Sequence, residues 1–270
     1  MDFVIGVSWP RSGHHLLVRL LTHYFGPDFK YCQFYGAPPP QLDGIDACCQ
    51  TVPCKYAGRI HFTKSHDFDL DVPLISNQKY LVQYRKFSAS VVSNYELNVR
   101  NGNEDSALAF RRFASYEFDR YQDFLRKWIE PPSNKNLLKL DYDQLLDDPE
   151  GSLADAVRFF LPGETVSTNR IRTALAEVDG ERIEHRNVTR LQAVGVHTRR
   201  DVSTFRHYSS DLFELLDRLK LTRNEVNEVY NICMGSDVPE ARMLEFQTCE
   251  STDFIHRILS PIRQPNSQFS

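Results

Sequence analysis

The sequence predicts an α/β fold, a single domain with a central, mostly parallel sheet flanked by helices. Two observations carry this expectation. Short apolar runs near residues 3–7, 59–63, 80–84 and 137–141 have the length and composition of buried strands. Helical patterns lie between them, and strands that alternate with helices build parallel sheets.

The first run, Phe3-Val4-Ile5-Gly6-Val7, breaks at Ser8-Trp9-Pro10-Arg11-Ser12-Gly13-His14-His15. Leu16, Leu17, Leu20, Leu21 and Phe25 then recur at helical spacing. A strand, a polar loop and a helix in succession bring together the unused N–H groups of a helix start and its positive dipole end. Arg11 adds a permanent charge whose forked donors match phosphate or sulfate. The loop therefore reads as an anion cradle. It is not a Walker A loop. Gly13 is followed by His14 rather than Lys, and no Ser or Thr stands where one would hold magnesium.

The second run, within Arg59 to Asp67, alternates Ile60 and Phe62 as a strand and runs out into Lys64-Ser65-His66. The third, Tyr80 to Tyr84, is closed by Arg85; a helix is expected over Ala89 to Leu97, with Ser93 eight residues after the arginine. A guanidinium grips phosphate in a fork, and a serine hydroxyl can donate to the same group. Residues 98–136 read as helical, with aromatics from Phe110 to Trp128 whose simplest use is core packing. The fourth run, Asn136 to Asp141, leads into Tyr142, and Asp148-Pro149 supplies an N-cap and a first-turn proline. Residues 26–58, with Pro38-Pro39-Pro40, form a long irregular connection of the kind that is often functional. Thr222-Arg223-Asn224-Glu225 is a capping box that starts a late helix. The division expected is a domain over 1–235 and a partly irregular extension over 236–270.

In this order and context, the segments resemble the sulfotransferases that use 3′-phosphoadenosine 5′-phosphosulfate (PAPS). Pro10-Arg11-Ser12-Gly13-His14-His15 is similar to their 5′-phosphosulfate loop, and Lys64-Ser65-His66 to the Lys-Thr-His at the end of the corresponding strand. Arg85 and Ser93 match the pair that holds the 3′-phosphate. Tyr142, followed by Asp148-Pro149, resembles the stretch whose tyrosine contacts adenine. Thr198 to Arg206 is similar to a C-terminal Arg-Lys-Gly…Gly-x-Trp stretch, with Asp201 for the glycine, Phe205 for the tryptophan and a spacing one residue short. That departure leaves open whether Arg199, Arg200, Arg186 or Arg190 reaches the phosphate.

The resemblance implies a P-loop nucleoside-kinase-like architecture, the sulfotransferase fold. It implies transfer of a sulfuryl group from PAPS to a hydroxyl or amine, with release of the bisphosphate PAP and no metal. Arg11, Lys64 and His66 become the catalytic candidates, His66 as general base. Arg11, Ser12, Gly13, His14, His15, Arg85, Ser93, Tyr142, Arg199 and Arg200 become the donor-binding candidates. His14 and His15 stand where the family more often has Thr or Asn; either could hold the sulfate or act as base. Asp67 and Asp69 are weaker candidates for the base.

At 270 residues, 41% hydrophobic and 25% charged, the chain can bury one substantial core. Its formal charge of −4 argues against a nonspecific nucleic-acid binder. No run of eighteen apolar residues occurs, so no membrane span is expected. The first strand begins almost at once, which predicts no signal peptide and a cytoplasmic enzyme. Its six cysteines would then be reduced thiols. Cys48, Cys49 and Cys54 do not form a paired Cys-x-x-Cys zinc pattern, and a structural disulfide within 32–54 is the lesser alternative. The expected partner is a small-molecule, lipid or carbohydrate acceptor. Two competing classes are an ATP- and magnesium-dependent small-molecule kinase and a non-catalytic nucleotide-binding scaffold. The missing Gly-Lys-Ser/Thr argues against the first. The presence together of Arg11, Lys64, His66, Arg85 and Ser93 argues against the second.

Overall fold

The computed structural model describes residues 1–33, 48–52, 54–184 and 199–218. Arg186, Arg190, the capping box at Thr222, Pro38-Pro39-Pro40 and the 235/236 boundary lie outside them. The strands are β1 (Val4–Ser8), β2 (Tyr31–Cys32), β3 (Phe62–Ser65), β4 (Lys79–Tyr84) and β5 (Leu137–Asp141). They form one parallel sheet in the order β2-β3-β1-β4-β5. The helices are α1 (His14–Phe25), α2 (Phe87–Arg100), α3 (Ala107–Phe124), α4 (Tyr142–Asp147), α5 (Pro149–Phe160), α6 (Thr168–Glu184) and α7 (Ser210–Arg218). The described residues divide into two compact units, those within Met1–Arg85 and Phe124–Arg200, and those within Lys86–Asp123 and from Asp201 to Arg218.

The first unit holds the sheet. Every residue of β1 is buried, as expected for a central strand covered on both faces. At Gly6 a Cβ would strike the Thr63 carbonyl oxygen and the Phe62 ring, so the residue must be glycine for β3 to lie this close. Leu81 of β4 faces a core made with Leu17, Leu20 and Leu21 of α1, Val157 and Phe160 of α5, and Ala174 and Val178 of α6. Tyr80, its neighbour, turns to the opposite face and packs on Trp128, ring centroids 5.3 Å apart. Asp148 caps α5 by accepting from the Gly151 amide at 2.9 Å, and Pro149 occupies the first turn, as the sequence predicts.

Three boundaries differ from the sequence expectation. β3 starts at Phe62 rather than near 59, because the Tyr56 carbonyl captures the amides of Arg59 and Ile60 in a turn. β2 is a two-residue edge strand, too short to show alternation. The helical stretch expected over 98–136 is interrupted between α2 and α3, and a π-helical turn, Leu125–Ile129, follows α3.

The second unit is helical and aromatic. Phe110 meets Phe205 at 4.7 Å and Tyr95 at 5.2 Å, and Phe87 packs on both Phe118 and Tyr121. Asp105 binds Arg206 at 2.8 Å and His207 at 2.7 Å. Among the described residues, no helix is long and apolar enough to cross a membrane.

Replacing Gly6 by alanine should lower unfolding free energy by about 1–3 kcal/mol, the usual cost of overpacking, because the obstacle is backbone rather than a movable side chain. Urea unfolding of the two proteins should show a lower midpoint with an unchanged slope.

Candidate active site

In a parallel sheet, ligands bind beyond the carboxyl ends of the strands, beside the strand where the order reverses. Here that strand is β1, between β3 and β4. Ser8 ends β1, Lys64 and Ser65 end β3, Arg85 follows β4, and Tyr142 follows β5. Four segments distant in sequence therefore deliver their polar residues to one edge.

The loop after β1 bends through two left-handed residues, Arg11 at φ 64° and Gly13 at φ 80°. The helical ladder begins with the Leu17 amide donating to the Gly13 carbonyl at 3.1 Å, which leaves the preceding amides outside it. Ser12 Oγ is buried and has no hydrogen-bond partner among the described residues. A buried orphan hydroxyl beside a helix start is what an anion site requires when its ligand is to supply the missing bonds. Gly13 is obligatory on two counts: its φ is positive, and a Cβ would run into the Tyr142 ring.

Tyr142, itself buried, links the loop to the next strand. The guanidinium of Arg85 lies over its ring, 4.5 Å from the centroid. Arg85 is only 6% exposed. Burial lowers its pKa, the acidic groups Tyr142 and Asp143 oppose that, and the neighbouring charge of Arg200 adds to it. Arg199 is placed differently. It is exposed and binds Asp147 at 2.5 Å. Of the two adjacent arginines that the sequence offered, Arg200 is therefore the one whose charge acts on Arg85. Ser93 lies on α2, in the second unit, and its part in the motif rests on the sequence.

Lys64, His14, His15 and His66 gather around the first loop. Lys64 is buried, with Nζ 3.4 Å from His15 Nε2. His14 is buried, stacks on Phe62 and shares a hydrogen bond with the Tyr31 hydroxyl at 2.9 Å. Burial first, then the charges of Lys64, His15 and His66, hold its pKa well below the usual value. His15 is exposed at the loop; partial desolvation of its ring, then the charges of Lys64 and Arg11, lower it to about 4. Both imidazoles are thus neutral at physiological pH.

His66 is half-buried, and its Nδ1 lies 2.6 Å from the Ser8 carbonyl oxygen. A carbonyl only accepts, so Nδ1 carries a proton, and in the neutral ring Nε2 holds the lone pair. The ring is therefore oriented as an acceptor at Nε2. Asp67 is occupied elsewhere: its buried carboxylate accepts from Trp128 Nε1 at 2.7 Å and the Val72 amide at 2.8 Å, and pairs with Lys127 at 2.7 Å. Its backbone is left-handed, φ 48°. Asp67 fixes the turn that follows His66, and Asp69 is exposed. The sequence offered Asp67 as an alternative base; its role as an anchor was not visible there, since its side-chain partners, Lys127 and Trp128, lie about sixty residues away.

No protein-family model matches the chain, and no curated protein matches it in sequence. Among solved structures it is similar to mouse sulfotransferase SULT7A1 complexed with PAP, with 18% identity over 91% of this chain and 88% of that one, at a TM-score of 0.53. It is also similar to the sulfotransferase domain of the Synechococcus PCC 7002 olefin synthase, with 14% identity over 82% of this chain and 95% of that one, at a TM-score of 0.41. The first likeness shows the fold: a five-stranded parallel sheet flanked by helices, in the arrangement of a sulfotransferase.

The two neutral histidines carry a pH dependence. An unfolded histidine titrates near 6.5, above the folded values of His14 and His15, so the unfolded state binds more protons below that pH. Their contribution to stability is complete above about pH 6.5 and is lost as the pH falls toward the folded value of about 4 for His15. Urea midpoints measured across that window should fall with acid, and the fall should be shallower in a His14→Gln, His15→Gln variant. Parallel profiles would remove the assignment.

Proposed function

We propose that the protein is a sulfotransferase that moves the sulfuryl group of PAPS to a hydroxyl or amine of an acceptor and releases PAP. The observation that carries this reading is the meeting, at the carboxyl ends of β1 and β3, of an anion loop with an orphan Ser12 hydroxyl, a buried Lys64 and a tautomer-fixed His66. Arg85, buried beyond β4 with Arg200 near it, supplies a second anion site. Two separate anion sites suit a donor with a 3′-phosphate as well as a 5′-phosphosulfate.

In this reading, Arg11, Ser12 Oγ and the amides of the loop bind the phosphosulfate. Arg85 and Arg200 grip the 3′-phosphate. Tyr142 supports Arg85 and leaves no room for a side chain at position 13, which keeps both anion sites in register. The donor supplies an activated sulfuryl group. Its transfer breaks the bond between sulfur and the bridging oxygen and forms one to the acceptor oxygen or nitrogen. His66 Nε2 takes the acceptor proton as that bond forms. Lys64 and Arg11 offset the charge that develops on the departing phosphate. His14 and His15, being neutral, can touch the sulfuryl oxygens without adding charge, and His14 is tied down by Tyr31. Absence of the Gly-Lys-Ser/Thr sequence weighs against the kinase alternative, which magnesium dependence of turnover would reveal.

PAP should raise the melting temperature well above any shift from AMP, because only PAP reaches Arg85. At one hundred times its dissociation constant a ligand stabilises by about 2.7 kcal/mol. Equal shifts from the two nucleotides would remove the 3′-phosphate assignment. With labelled PAPS and an acceptor library, His66→Ala should cut turnover by roughly 10²–10⁴-fold while PAP binding stays within a few-fold. Near-normal turnover in that variant would move the base to His14 or His15.

A further inference from the structure

Away from the candidate active site, the four described cysteines gather in one place. Cys32 ends β2, and Cys48, Cys49 and Cys54 precede β3. Cys32, Cys48 and Cys54 are buried in one cluster with Ile60, against which Cys49, Tyr56 and Phe3 pack. The sulfurs fall into two pairs: Cys32 Sγ lies 3.2 Å from Cys48 Sγ, and Cys49 Sγ lies 3.6 Å from Cys54 Sγ. None of the four is in a disulfide. Among the described residues, no group of three or more His, Cys, Asp or Glu is arranged to hold a metal ion. Small thiols buried only to fill space have no reason to meet sulfur to sulfur, twice. A disulfide needs about 2.05 Å between sulfurs, which each pair reaches by closing roughly 1–1.5 Å through side-chain rotation.

We propose that these cysteines are two redox-active dithiols, Cys32 with Cys48 and Cys49 with Cys54, which oxidise to two disulfides by exchange with a small-molecule disulfide. Cys49 is the accessible member and begins the reaction. Burial raises its pKa, but the Thr51 hydroxyl at 3.2 Å and backbone contacts at Thr51 and Lys55 outweigh that and bring it to about 7. Its thiolate attacks one sulfur of the small disulfide; that S–S bond breaks, and one thiol leaves with a proton. Cys54, which burial holds as a thiol with a pKa near 11, then loses its proton and attacks Cys49 Sγ. The mixed disulfide breaks and the second thiol leaves. Two protein thiols are oxidised, and one small disulfide is reduced to two thiols. Cys32 and Cys48 follow the same stoichiometry.

The pairs sit where a covalent tie would be felt. Cys32 is in register with Thr63 of β3, one residue before Lys64, and Tyr31 holds His14. The proposal does not depend on the reaction assigned to the protein, and its test uses neither donor nor acceptor.

The test uses the full chain with Cys233→Ser and Cys249→Ser, so that only these four thiols remain. It is equilibrated over a range of reduced-to-oxidised glutathione ratios, alkylated and mapped by mass spectrometry. The expected result is loss of all four alkylatable thiols, with 32–48 and 49–54 cross-links. Adding Cys49→Ser should abolish the 49–54 link. Four thiols that still alkylate at the most oxidising ratio would overturn the proposal. So would scrambled links, or thiols protected by a stoichiometric bound zinc that a chelator releases. If the Cys49→Ser protein fails to fold, the map of its parent decides the question alone.

Discussion

The candidate site depends on the parallel pairing of β1 with both of its neighbours. Gly6 lets β3 approach so closely that its carbonyl and aromatic ring occupy the space of a side chain. The same register sets Val7 opposite Ser65 on one side and Val82 on the other. Because the three strands run in one direction, the residues that follow them emerge together. The Ser8 carbonyl can then orient His66, fifty-eight residues on, through one hydrogen bond. The sheet also brings the buried Gln83 side chain to the Ser12 carbonyl, 3.5 Å away. A slip of one residue between β1 and β3 would turn Lys64 to the other face of the sheet and break this alignment.

A second layer of polar contacts keeps those emerging segments in place. The Asp67 carboxylate gathers an indole, a backbone amide and an ammonium from the turn after β3 and from the π-helical turn that follows α3. Lys127 also donates to the carbonyls of Leu70 and Val72, so one ammonium binds the loop at three points. Buried charge is tolerated when each lone pair and proton finds a partner, and here the partners are chain segments that must be held. The left-handed backbone at Asp67 is a local strain that these bonds offset.

Much of this was legible in the sequence, for identifiable reasons. The buried strands announce themselves as apolar runs, and the loop at Arg11 as a polar break between a strand and a helix. Asp148-Pro149 marks a helix start whose cap is local, and the structure forms that cap. What could not be read depends on distant partners. β2 is two residues long and exists because β3 is there to pair with it. The start of β3 is moved by a turn at Tyr56. The placement of Tyr142 between Gly13 and Arg85, the tautomer of His66 and the engagement of Arg199 by Asp147 are all set by contacts across the fold. Residue type and spacing identify candidates for chemistry, whereas their protonation and orientation are properties of the packed state.

The chain has two tryptophans, and both lie beside the candidate site. Trp9 follows β1, buried against Phe124, with its amide on the Gln83 carbonyl. Trp128 is fully buried, and its indole N–H is bonded to the residue after His66. Indole emission depends on local polarity and on charges near the ring. The tryptophan fluorescence of this protein therefore comes from the two segments that frame the loop and the base. Any event that shifts either segment has an optical signal already built into the chain, with no label to perturb it.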